Sequence, residues 1–186
     1  MAYRPVSIDH VNIFVRNAER SLEWYKDVFG FHTQDTMTFP GTNRLRAAFL
    51  SCDPGHAHDI ALFEVGEDAA GPQKKQVGLN HVAWRMANLD DLGEMYKRLK
   101  AKDVPVSVSD HTVSIGIYFS DPDGNGLEVY YEQPRSEWHR ERGAAGYARM
   151  NAGVGWSASS QGPGKRPLSP FSENGRSRCH SLRGCS

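Results

Sequence analysis

Residues 8–31 read IDHVNIFVRNAERSLEWYKDVFGF, and residues 79–106 read LNHVAWRMANLDDLGEMYKRLKAKDVPV. Setting His10 over His81 brings Tyr25 onto Tyr96 and Lys26 onto Lys97. Each stretch opens with a short apolar, β-branched run, crosses a polar turn and enters an amphipathic helix pattern. A repeat of this kind marks one supersecondary unit used twice. The first copy predicts a strand over 8–15. A helix follows, started by Asn17 or Ser21, with Leu22, Tyr25, Val28 and Phe29 on one face and Gly30 as its stop. Three strands are expected next, over 33–39, 44–51 and 58–65. Residues 66–76 are polar, with Gly, Pro and Lys, and read as the link between copies. The second copy predicts a strand over 80–86, a helix over about 89–102, and strands over 104–108, 116–120 and 127–132. Residues 122–125, PDGN, supply the turn before the last strand.

Size and composition set the frame. The chain has 186 residues, 39% hydrophobic and 24% charged, with a formal net charge of zero. This suits one globular domain with a sizeable core. It gives no electrostatic case for nucleic acid or an anionic membrane. No apolar run approaches the ~20 residues needed to cross a bilayer, and the N-terminus lacks a signal-peptide core. A cytoplasmic location is the default expectation. Three cysteines, Cys52, Cys179 and Cys185, are too few and too scattered for a disulfide framework. The domain is expected over 1–135, with modules at about 6–66 and 77–133. One more helix is expected over 136–150. Residues 151–186 are rich in Gly, Ser, Pro and Arg, a composition that predicts disorder and a dispensable basic extension.

The chemistry-bearing residues fall on the strands. His10 and His81 hold equivalent positions in the two copies, so both can face a shared cleft. Glu128, in DPDGNGLEVYY, lies on an otherwise apolar late strand, where burial is costly unless the carboxylate pairs or binds a metal. Two histidines and one carboxylate form the ligand set of non-haem Fe(II) centres with open coordination positions. Mn(II) fits the same donors. The corresponding strand of the first copy is HDIALFEV, whose register sets Ala61 opposite Glu128. Glu64, three residues on, should then point to the other face and not serve as a fourth ligand.

An α+β chain of two tandem βαβββ modules, forming a curved mixed sheet around a metal cleft, resembles the vicinal oxygen chelate superfamily. The three-ligand pattern is similar to its type I extradiol dioxygenases, in the small single-domain branch. Three further matches carry that resemblance: His58 in AHDIALF, Tyr118 ten positions before Glu128, and His111 in DHTVSIGIY. It implies Fe(II) held by His10, His81 and Glu128, and opening of a catechol ring with O2 to a 2-hydroxymuconic semialdehyde-type product. His58 would act as general acid over the O2 position, Tyr118 would bond the substrate oxygen, and His111 would orient substrate. His56 competes with His58 for that place. The implied partners are a small aromatic diol and O2, in a homo-oligomer. Two other readings belong to the same superfamily: a glyoxalase or fosfomycin-resistance type of metal enzyme, which needs a fourth ligand, and a metal-free drug-binding module.

Overall fold

The computed structural model describes residues 3–138. The helix expected over 136–150, beyond its first three residues, and the tail 151–186 lie outside the described residues. The first copy folds as β1 (Val11–Val15), α1 (Ala18–Phe29), β2 (His32–Thr38), β3 (Leu45–Ser51) and β4 (Ile60–Glu64). The second repeats the order as β5 (Val82–Arg85), α2 (Leu89–Ala101), β6 (Ser107–Asp110), β7 (Ser114–Ser120) and β8 (Gly126–Glu132). A 3-10 turn, Arg135–Glu137, follows. The strand orders are β1-β4-β3-β2 and β5-β8-β7-β6, so each copy closes its own four-stranded sheet. Both sheets are mixed. The first strand runs parallel to the last, and the remaining pairs are antiparallel. The α+β, twice-used βαβββ architecture is therefore as expected.

The repeat extends to the helix caps. Asn17 Oδ1 accepts from the Arg20 amide at 3.0 Å, and Asn88 Oδ1 accepts from the Asp91 amide at 2.8 Å. Each satisfies one of the amides that a helix start leaves unpaired. Gly30 ends α1 in the left-handed region, φ 74°, and donates to the Lys26 carbonyl at 2.9 Å.

Two strands are displaced from the expected ranges. β1 begins at Val11 and not at Ile8, because its partner β4 begins at Ile60, opposite Val11. The third strand of the second copy runs 107–110 and not 104–108. Pro105 has no amide to give a ladder, Asp103 two residues before it is left-handed at φ 55°, and pairing starts where Ser107 meets Tyr118.

One core joins the copies. Ile13, Val15, Leu22, Tyr25 and Val28 bury against Ile60 and Leu62, and the same cluster continues through Leu92, Leu99, Ile117, Leu127 and Val129. Phe29 packs on Trp84 and Phe119 of the second copy, with ring centroids 5.0 and 5.8 Å apart. The β7–β8 turn then docks on the start of α1. Asp123 accepts from the Arg16 amide at 2.9 Å, from the Arg16 and Arg20 guanidiniums at 3.1 and 2.7 Å, and from Ser21 Oγ at 3.4 Å. Tyr25 OH donates to Asp121 at 3.3 Å, and Asn125 Nδ2 donates to the Phe14 carbonyl at 3.1 Å. Burial is the leading cause that pushes both Tyr25 and Asp121 above their ordinary pKa values.

Candidate metal and catalytic site

Strand alternation decides which side chains share a face. On β8, Leu127, Val129 and Tyr131 join the core, so Glu128 projects from the opposite face. On β7, Ile115, Ile117 and Phe119 join the core, leaving Gly116 and Tyr118 on the face of Glu128. The ladder sets Tyr118 directly opposite Glu128. The Glu128 carboxylate is buried, at 10% side-chain exposure, and its Oε2 lies 3.0 Å from His81 Nε2. His81 Nδ1 sits 2.7 Å from Asn80 Oδ1. An amide oxygen can only accept, so Nδ1 carries a proton, and Nε2 is the nitrogen that faces Glu128.

His111 and Tyr118 continue this arrangement. His111 Nε2 and the Tyr118 hydroxyl share a 2.8 Å hydrogen bond, and the Tyr118 ring stands edge-on to His81 at 5.5 Å. Burial first, then the Glu128 carboxylate, push the Tyr118 phenol well above its ordinary pKa. The phenol stays protonated and is available as a donor. The β6–β7 turn carries His111 next to Thr112, which is left-handed at φ 74°. That conformation is unfavourable for a β-branched residue. Asp110 Oδ1 holds the turn through the Thr112 amide at 2.7 Å.

The first copy contributes a second cluster. The His10 and His58 rings lie 4.3 Å apart, and Phe49 meets His58 edge-on at 5.2 Å. Burial, then the neighbouring His10, push His58 below the ordinary histidine pKa. His56 turns away from this pair, toward Asp9 at 3.2 Å and Asp59 at 2.9 Å. Glu64 is engaged elsewhere. Its Oε2 accepts from the Ala18 amide at the start of α1, 3.0 Å away, and its Oε1 pairs with Arg44. It therefore points to the helix side, as the alternation from Ala61 requires.

Of the six site residues expected from sequence, the fold gathers His81, Glu128, Tyr118 and His111 at one sheet, and His10 with His58 at the other; Glu128 and Tyr118 lie on strands, whereas the four histidines lie in the loops just outside them. His10 does not close on the His81–Glu128 pair. Among the described residues, no three His, Cys, Asp or Glu side chains stand close enough together to hold a metal ion. The chemistry of the pair nonetheless suits a divalent cation. One imidazole nitrogen and one buried carboxylate oxygen aim at each other, and the imidazole is oriented through its other nitrogen, as in metal–histidine sites. Gly116 shapes the cradle. A Cβ there would collide with Glu128 Oε1 and lie 3.1 Å from the Tyr118 hydroxyl. Asn80 and Gly116 were not anticipated as site residues. A glycine inside a strand, marking close approach of another group, was the available signal for Gly116.

Comparison with known proteins agrees with this architecture. Residues 7–129 match the family model described as Glyoxalase/Bleomycin resistance protein/Dioxygenase superfamily. The chain is 34% identical over 135 residues to a catechol-2,3-dioxygenase of Bacillus subtilis (strain 168), covering 73% of this chain and 45% of the relative. It is 34% identical over 111 residues to biphenyl-2,3-diol 1,2-dioxygenase 3 of Rhodococcus globerulus, covering 58% and 53%. The chain thus spans about half the length of these relatives. The crystal structure of a glyoxylase/bleomycin resistance protein/dioxygenase domain from Frankia sp. EAN1pec superposes with a TM-score of 0.59 at 19% identity, over 70% of this chain and all of that one. The repeat, the paired four-stranded sheets and the family match agree: the chain belongs to the glyoxalase/bleomycin resistance protein/dioxygenase superfamily.

Proposed function

We propose that the chain is an Fe(II)-dependent extradiol dioxygenase that opens catechol-type rings. The observation that carries the reading is the run His81–Glu128–Tyr118–His111, in which two loop histidines flank a glutamate and a tyrosine on one sheet face, linked at 3.0 Å and 2.8 Å and by the Tyr118–Glu128 strand pairing. It joins a ligand pair to two groups suited to an ionisable substrate hydroxyl. The names of the two relatives, catechol- and biphenyl-diol dioxygenases, support the same reaction class.

His81, Glu128 and His10 would hold the metal. Bound Fe(II) would supply adjacent open positions for the diol and O2 and a route for electrons between them. Mn(II) is the alternative for the same donors. Tyr118, kept protonated, donates to the substrate oxygen, and His111 orients Tyr118. His58, unprotonated in neutral solution because burial and His10 lower its pKa, accepts a substrate proton and returns it as the ring opens. Two of the arginines that could hold a substrate carboxylate are already in ion pairs, Arg44 with Glu64 and Arg85 with Glu132 at 3.7 Å. A neutral catechol fits better than an acidic one. The four-ligand reading loses its candidate, because Glu64 caps α1 and pairs with Arg44.

The test is anaerobic loading with Fe(II), then catechol and air, followed by oxygen electrode and visible absorbance. Equimolar uptake of O2 and catechol with a yellow product is expected. His58→Ala should slow turnover by about 10²–10⁴-fold with iron retained. Tight iron binding without O2 uptake would remove the proposal in favour of non-redox chemistry, and hemithioacetal isomerisation would be tested next.

A further inference from the structure

His56 lies outside the gathered site residues, yet both its ring nitrogens face carboxylates. Nδ1 is 2.9 Å from Asp59 Oδ1, and Nε2 is 3.2 Å from Asp9 Oδ1. Carboxylate oxygens accept, so an imidazole satisfies both only when each nitrogen carries a proton. The ring is then a cation between two anions, and its pKa is raised by the Asp9 bond first.

What the ring connects is more telling. Asp59 belongs to a self-contained loop between β3 and β4. Its Oδ2 accepts from Ser51 Oγ and the Cys52 amide, both at 2.8 Å. Gln34 Nε2, on β2, donates to the carbonyls of Asp53, Pro54 and His56 at 3.1, 3.1 and 2.6 Å. Asp9 belongs to the segment before β1, where Tyr3, Val6 and Ile8 are exposed. The loop carries His58 one residue before its end, and the segment ends at His10. Besides the Val11 amide bond to the Asp59 carbonyl at 3.0 Å, the Asp59–His56–Asp9 bridge ties them together.

We propose that His56 is a positioning residue: clasped between Asp59 and Asp9, it holds the loop that presents His58 against the segment that presents His10. This rests on the dioxygenase reading for the roles of His10 and His58. Proton transfer requires the donor within hydrogen-bond reach, and a displacement near 1 Å can cost about a hundredfold in rate. A clasp spanning both segments fixes that separation without touching substrate.

The test compares His56→Ala and His56→Arg by steady-state kinetics on the Fe(II)-loaded protein, with iron content measured in each. Expected for His56→Ala is a 10–100-fold fall in kcat, with catechol KM and iron content within twofold of the parent. The guanidinium of His56→Arg offers several donors and a permanent charge, and should restore kcat to within about fivefold. In the His58→Ala background, His56→Ala should cost nothing further. An unchanged kcat in His56→Ala, or an equal loss in both backgrounds, overturns the proposal. A second readout does not depend on turnover. The His56 ring signals, followed by NMR against pH, should titrate at lower pH in Asp9→Asn than in the parent; identical titrations overturn the clasp. If the parent protein does not consume catechol while the titrations differ, the dioxygenase reading fails and the clasp stands.

Discussion

Replacing the buried Asp123 by alanine should loosen the junction between the two modules. The carboxylate is 4% exposed and takes donors from the Arg16 amide, the Arg16 and Arg20 guanidiniums and Ser21 Oγ. A hydrogen bond to a charged group contributes about 1.5–3 kcal/mol. Breaking a buried pair from one side adds the cost of the stranded partner. Two corrections reduce the sum. Arg16 and Arg20 are 27% and 44% exposed, so water re-solvates both. Bonds that share one carboxylate are also not additive. A net loss of about 3 kcal/mol follows, equivalent to roughly 10 °C in Tm for a domain of this size. Asp123→Asn keeps the shape and one acceptor oxygen but loses the charge, so it should lose about half as much. Thermal and urea unfolding followed by circular dichroism measure both. An alanine variant melting within about 2 °C of the parent refutes the view that this turn locks the modules.

Gly116→Ala should weaken Fe(II) binding by about 10–100-fold, the range for groups that orient a ligand, because its Cβ meets Glu128 Oε1. Competition against a fluorescent chelator reads this, and an unaltered affinity contradicts the cradle. Glu64→Gln should cost about 1 kcal/mol through the helix cap it forms at Ala18 and leave iron content unchanged. A fall in bound iron would return Glu64 to the ligand set. Burial, then the neighbouring Asp59, push the Cys52 thiol up to about 11. Its thiolate fraction at pH 8 should be about a hundredfold below that of an ordinary thiol. Peptide-resolved iodoacetamide labelling should find Cys52 correspondingly slow, and labelling at the rate of free cysteine would contradict the assigned environment.

The repeat was legible because its period is carried by residues that act locally: Asn17 as a cap, Gly30 as a stop, and alternating apolar residues on each strand. The face of Glu64 could also be read, since alternation from Ala61 leaves it no other side. What sequence did not reveal depends on contacts across long separations. The docking of Asp123 on Arg16 and Arg20 spans more than a hundred residues and has no local signature. Pattern favours His58 but leaves His56, two positions earlier, as its competitor. Only the position of Asp9 in space draws His56 outward and leaves His58 beside His10. The strand ends at Ile8 and Val104 failed for the same reason, because a strand stops where its ladder partner stops.

The ladders also align the two modules position by position. Ala61 pairs with Asn12 and faces Phe49, as Glu128 pairs with Ala83 and faces Tyr118; Ala47 occupies the place of Gly116. The first module thus carries Ala61, Phe49 and Ala47 where the second carries Glu128, Tyr118 and Gly116. A variant acquiring a second carboxylate by Ala61→Glu would drive it toward the methyl group of Ala47, so a second change, Ala47→Gly, is needed to make room. Both alanines are fully buried. The glutamate alone strands a charge in the interior, and the glycine alone opens a void. Neither single step improves the protein, so a carboxylate at position 61 requires both substitutions together.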